Sequence, residues 1–345
     1  MKKTKKYIRN FILFAFLIWL TFHILLKDQN MGELIEILRN VKLPFVFIGI
    51  LCMVVYFLCE AVNMKRTLTA LGEKVDVAKC YKYTLIGFFY SSITPAASGG
   101  QPMQIYYMHR DGVKAASSTL ALVMNLWSFQ IVTIGMALVS LLFYHDYLDT
   151  GLIILFCIGI LLNSMALTLL IIGIFSKQLS TKLVDFAIKI MRKFKLRNLE
   201  KKEKSLTETL EKYNGSAKYI RENRRIIFRQ FITALIQQVV YYSVPFCVCK
   251  AFGIDGISII KVIALQSIVY ATVSGIPSPG AVGVSEGAFV SIFKTIFKAE
   301  LINGAMLLNR GISFYLIVFI CAIVVLYNTF KGKKEDREEN LEEKI

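Results

Sequence analysis

The chain has 345 residues, of which 55% are apolar and 19% charged, with a mean hydropathy of +0.56. Soluble domains sit near about 45–50% apolar, so an ordinary soluble domain and a disordered chain are both excluded. The formal charge of +17 comes from 41 Lys and Arg against 24 Asp and Glu; these basic residues cluster between apolar runs, which points to membrane orientation and anionic headgroups and away from nucleic acid.

Runs of about 20 apolar residues can each cross a hydrocarbon core about 30 Å thick. A transmembrane β-barrel would show short alternating segments instead. In chain order, spans are expected near 8–26, 44–63, 116–143, 152–175, 230–249 and 301–330. The first follows MKKTKKYIRN and has the layout of a signal peptide, but it is long and no small-x-small cleavage pattern follows, so it reads as a retained span. Residues 1–9 hold five Lys and Arg, 27–43 is balanced, 64–82 holds five against two acidic residues, 144–151 holds none, and 177–229 holds 16 against six. This alternation places a multi-pass protein in the cell membrane with both termini cytoplasmic, provided that 80–114 enters and leaves on the cytosolic side.

Two stretches, 83–114 and 257–298, read as an apolar helix, a break and a second short helix. The break residues are Pro95, Gly99, Gly100 and Pro102 in the first, and Pro277, Pro279, Gly280 and Gly283 in the second. Non-helical backbone at membrane depth is tolerated only under protein cover or beside a cavity, which makes these stretches re-entrant hairpins. The alternative is two extramembrane loops, and 257–275 alone is long enough to span.

The breaks match each other. PAASGGQP at 95–102 aligns with PGAVGVSE at 279–286 at an offset of 184, pairing Pro95 with Pro279, Ala97 with Ala281 and Gly99 with Gly283. The same offset carries 44–63 onto 228–247 and 116–143 onto 300–327, and pairs Asn125 with Asn309. Repeat one covers about 8–143 and repeat two about 152–330, starting on opposite sides of the membrane. The expected fold is therefore a single all-α polytopic membrane bundle over 1–330, with inverted repeats, two re-entrant hairpins and a charged cytosolic tail, 331–345. Helix N-termini at such breaks favour an anionic guest such as a phosphate.

Seven residues are candidates for substrate binding or coupling. Glu286 is either a cavity-facing carboxylate or a helix N-terminal one, since Ser285-Glu286-Gly287 opens the next helix. Arg310, about nine residues into the last span, needs a partner or water; it suits a lipid phosphate, or pairs structurally with Glu286 or Glu60. Glu60 lies next to Lys65 and Arg66, and an interfacial pair with them is the favoured reading. Asn309 joins Asn125, Gln130, Gln237, Gln238 and Gln266 as intramembrane polar groups, for which helix bridging is favoured over a substrate role. Gln101 and Ser285 lie in the breaks, and Ser98, with Ser91, Ser92, Thr94, Ser274 and Ser278, could bind phosphate oxygens or cap helix ends. Around 177–229, Leu179, Leu183, Phe186, Ile190 and Phe194 recur at helical spacing among lysines and arginines, a basic amphipathic helix suited to an anionic leaflet. Seven cysteines without a CxxC and three separated histidines offer no metal set, and no cofactor is implied. No nucleophile–base pair or phosphate loop is visible, so no enzyme activity is expected.

The segments SSITPAASGGQPMQIYYMHRDGV (91–113), SGIPSPGAVGVSEGAF (274–289) and LLNRGISFYLIVF (307–319) resemble the membrane region of the lysylphosphatidylglycerol synthase/flippase family and its stand-alone flippase-like relatives. The resemblance covers roughly 10–330 and implies a flippase domain that moves a polar, anionic or aminoacylated phospholipid between leaflets. In full-length members a cytosolic domain charges phosphatidylglycerol with lysine, so a separate synthase or a second copy of the chain is an implied partner. Many members carry Gly-Glu at the first motif and an Arg soon after; here Gly100, Gln101 and Pro102 stand there, leaving Glu286 without an acidic counterpart. The fifteen residues after Phe330 leave no room for a synthase domain. A membrane component of lysylphosphatidylglycerol synthesis and a non-transporting partner protein remain the alternatives.

Overall fold

The computed structural model describes residues 31–94, 97–175, 222–276 and 279–342, together with isolated positions between 181 and 219. The expected first span, the apolar positions Leu179, Leu183, Phe186, Ile190 and Phe194 of the amphipathic run, Pro95 and Pro277 lie outside the described residues. Every regular element among the described residues is helical.

A short helix, α1 (Met31–Arg39), precedes α2 (Leu43–Ala70), which has a proline in its first turn where no backbone N–H is needed. Next, α3 (Val77–Ser92) starts at Asp76, whose carboxylate accepts from the Lys79 N–H at 2.6 Å, and α4 (Gly100–Arg110) follows across the first break. The long α5 (Ala115–Tyr144) is joined through a 3₁₀ turn to α6 (Thr150–Phe175). The chain resumes with α7 (Arg224–Tyr242) and α8 (Val244–Ala251), which is offset from α7 at Ser243 because Pro245 cannot continue the hydrogen-bond ladder. Then come α9 (Ile259–Val273), the second break, α10 (Val284–Phe293) and α11 (Ile302–Arg310). A π-helical turn, Gly311–Tyr315, leads into α12 (Leu316–Glu342).

Five helical stretches are long and apolar enough to cross a membrane: Leu43–Ala70, Ala115–Tyr147, Thr150–Ile171, Arg224–Ala251 and Ile302–Thr329. They coincide with five of the six expected spans, and between them lie both expected helix–break–helix units, the second built of two shorter apolar helices, Ile259–Val273 and Val284–Phe293. The chain is an all-α polytopic membrane protein.

α2 packs against α3, α5, α7 and α8, while α9 packs against α5, α6 and α10. The main core lies where these groups meet, with Phe57, Phe156, Phe289 and Phe293 fully buried and the last two rings stacked at 4.4 Å. Leu51, Leu58, Phe143, Leu161 and Phe319 are exposed instead, as expected of helix faces that meet lipid tails.

Candidate functional site

Both breaks meet one cavity of about 630 Å³. Ser91, Ala97 and Gln101 line it from the first break, and Gly275, Gly280, Ala281 and Ser285 from the second. The breaks also share a backbone feature. Ala97 and Ala281, 184 positions apart, have φ of 52° and 51°, and are the non-glycine residues with positive φ among the described residues. L residues rarely sit there, at roughly 1–2 kcal/mol each, so the same unusual turn is held in both places. α4 and α10 begin at Gly100 and Val284, again 184 apart.

The second break carries the charge. Arg310 and Glu286 are 8% and 1% exposed and form an ion pair at 2.8 Å between Nε and Oε1. Glu286 sits at the third position of α10 and its Oε2 accepts from the Gly283 N–H at 2.7 Å and the Ser285 hydroxyl at 3.0 Å. The carboxylate thus caps the helix and meets its positive end while pairing with arginine. Tyr315 donates to the other oxygen at 3.1 Å. The Arg310 Nη2 donates to the Gly280 carbonyl at 3.0 Å, and the guanidinium lies over the Phe314 ring at 4.3 Å. Gly280, with φ of 60°, is required here: a Cβ would overlap the Phe314 ring, and the ring would lose its place under the arginine.

The guanidinium has five N–H donors. Glu286 and Gly280 take one each, Tyr315 is a further partner, and Arg310 lines the cavity. Glu286 is not among the lining residues and stands behind the arginine. Of its two expected roles, the geometry is that of the helix-terminal carboxylate.

The first break is neutral. Thr94 donates to the Tyr90 carbonyl at 2.6 Å and accepts from the Gly99 N–H at 2.9 Å. α3 and α4 close tightly at Gly100, where a Cβ would overlap the Ser91 hydroxyl and stand 2.8 Å from the Gly87 carbonyl. Pro102 is exposed in the first turn of α4.

The structure brings Glu60, Gln101, Ser285, Asn309 and Arg310 to the same cavity, whereas Ser98 is exposed and outside its lining. The expected interfacial pairing of Glu60 is corrected. Among the described residues no ion pair reaches it, and Arg66 donates instead to Asn63 at 2.5 Å and Thr233 at 3.2 Å. The reason is helical spacing: Lys65 and Arg66 are five and six positions on, which puts them on other faces of α2. Helix bridging holds for Asn125, which donates to the Glu60 carbonyl and accepts from Gln230, and for Gln130 and Gln238. Asn163, Tyr56, Tyr241, Tyr270 and Phe314 also line the cavity, and sequence reasoning did not single out Asn163, Tyr56, Tyr270 or Phe314. For Phe314 a signal existed: it follows Arg310 by four residues, one helical turn.

Among the described residues no group of His, Cys, Asp and Glu could hold a metal ion. The described lining of the cavity instead offers one cation, one carboxyl group, several amides and a set of aromatic rings. A UPF0104 membrane protein of Archaeoglobus fulgidus is 22% identical over 310 residues, covering 86% of this chain and 90% of that protein. Residues 8–321 match the model of the lysylphosphatidylglycerol synthase TM region, and the chain belongs to that family.

Proposed function

We propose that this protein moves a polar phospholipid between leaflets by alternating access, with the headgroup passing through the cavity where the two breaks meet. The observation that carries this reading is Arg310. A buried charge at membrane depth is unfavourable by at least about 2.5–3.5 kcal/mol, yet this one is held by Glu286, Gly280, Phe314 and Tyr315 at the wall of an open cavity. A purely structural pair would need no cavity beside it. Arginine suits a phosphodiester because its planar fork can donate two parallel hydrogen bonds.

The repeat supports the same reading. Matched turns at Ala97 and Ala281 and matched helix starts are what two inverted copies with re-entrant hairpins would place around a midplane site. On this reading both termini lie on one side of the membrane, and the chain itself carries out no chemical step. The family description also favours a second reading, in which the protein serves lysylphosphatidylglycerol synthesis beside a separate synthase.

The test is headgroup exposure in proteoliposomes, following labelled phosphatidylglycerol across the bilayer. Wild-type protein should equilibrate the label faster than protein-free vesicles. Arg310→Ala should reduce that rate to background, and Arg310→Lys should keep only part of it. Equal rates for wild type and Arg310→Ala would remove the transport reading and leave the synthase-partner reading.

A further inference from the structure

The cavity contains a second acidic group that a phosphate site does not use. Glu60 of α2 lines it, and among the described residues no ion pair reaches its carboxylate. Three tyrosines line the same region: Tyr56, one turn earlier on α2, Tyr241 of α7 and Tyr270 of α9. The Tyr56 and Tyr241 rings are 5.2 Å apart and the Tyr241 and Tyr270 rings 5.7 Å apart, so the three form one contiguous aromatic wall. A carboxylate and aromatic rings lining one cavity can each attract a cation, the one through its charge and the others through their ring quadrupoles. At membrane depth the carboxylate itself is stabilised by a guest that supplies positive charge.

The remaining charges point the same way. Glu286 already neutralises Arg310 at 2.8 Å. When the Glu60 carboxyl is ionised, a guest carrying negative charge alone meets a lining that is on balance negative. A guest with a phosphate and an ammonium a few ångströms apart is matched at both ends. Tyr241 contacts the rings of Tyr56 and Tyr270 and lines the same cavity as Arg310.

We infer that Glu60, Tyr56, Tyr241 and Tyr270 form a subsite for an alkylammonium group, so that the preferred guest is a zwitterionic phospholipid headgroup. The phosphate end rests on the transport reading above; the ammonium end is an independent claim.

The test measures binding of short-chain phosphatidylethanolamine and phosphatidylglycerol of equal chain length to the full-length protein in detergent, with ethanolammonium chloride as a third probe. Wild type should bind the zwitterion about tenfold more tightly than the anion. Glu60→Gln should abolish that preference without weakening phosphatidylglycerol, and Glu60→Asp should restore part of it. Tyr270→Phe, which keeps the ring, should behave as wild type, whereas Tyr270→Leu should lose several-fold for the zwitterion alone. Equal wild-type affinities for the two lipids, or a preference that survives Glu60→Gln, overturns the subsite. Ethanolammonium binding as tightly as the zwitterionic lipid makes a free amine the ligand and overturns the headgroup assignment. If Arg310→Ala weakens neither lipid while Glu60→Gln still removes the preference, the phosphate site fails and the ammonium subsite stands.

Discussion

At the first break, hydroxyls close the turn: Thr94 accepts from the Gly99 N–H, and Gly100 lets α4 approach α3 within reach of Ser91. At the second, a carboxylate takes the Gly283 N–H and an arginine is fixed against it. The backbones agree, with left-handed alanines at φ of 52° and 51°. The difference shows which part of the motif is architecture and which is chemistry. A Pro/Gly break with an alanine at positive φ re-aims a helix, whatever caps it. Only the break that places a carboxylate at the third helical position can hold a buried cation at the cavity wall.

The largest effect should come from separating those two roles. Arg310→Ala leaves Glu286 buried without its partner, and loss of one member of a buried pair is expected to destabilise by about 3–5 kcal/mol. The double substitution Arg310→Met with Glu286→Gln should recover most of that stability, because Gln can still cap α10 and neither charge remains buried. It should not recover lipid movement. Thermal unfolding and the headgroup-exposure assay, run on the same samples, check both halves. A double variant that moved lipid would reduce the second break to architecture like the first.

A smaller and more discriminating pair is Gly100→Ala and Gly280→Ala. At Gly100 the new methyl meets the Ser91 hydroxyl and the Gly87 carbonyl, so α3 and α4 must part, at about 1–3 kcal/mol. Bilayer transport should fall only as far as folded protein is lost. At Gly280 the methyl meets the Phe314 ring, and φ of 60° adds strain. The ring must leave the guanidinium, so transport per folded molecule should fall as well. Normalising rates to folded protein separates the two outcomes.

Much of this was legible in the residues. Long apolar runs gave five of the spans, because lipid imposes length and polarity on any helix that crosses it. The two helix–break–helix units were legible from proline and glycine, which act locally on their own backbone. A pair with Glu286 was one of the readings for Arg310, beside a lipid phosphate and a pair with Glu60, since sequence does not say which helix end faces which span. Glu60 was misassigned for the same reason: Lys65 and Arg66 are near in sequence, but the cavity that Glu60 faces is built by α3, α7 and α9. Asn163 went unnoticed because a lone amide in an apolar run has no local pattern; its partners, Gln130 and Ser274, come from other helices.

The two hairpins differ at their far ends too, and this gives the smallest expected effect. Asp111, just past α4, pairs with Lys82 of α3 and accepts from the Tyr83 hydroxyl at 2.7 Å. Partial burial favours its neutral form, but the hydrogen bonds from Lys82 and Tyr83 and the charges of Lys82 and Arg110 outweigh it, so its pKa lies below the ordinary 3.8. A carboxylate lowered in the folded state contributes stability that is present above its unfolded pKa and is lost as pH falls through the folded one. Among the described residues no ion pair joins α9 to α10. Acid should therefore loosen the first hairpin before the second. Hydrogen exchange from pH 5 down to about pH 3 should show protection falling across α3 and α4 while α9 and α10 hold. In Asp111→Asn the first hairpin should start weaker and change less over that range. If both hairpins of the wild type lose protection together, the Asp111 contact does not lock α3 to α4, and the two units differ only at their breaks.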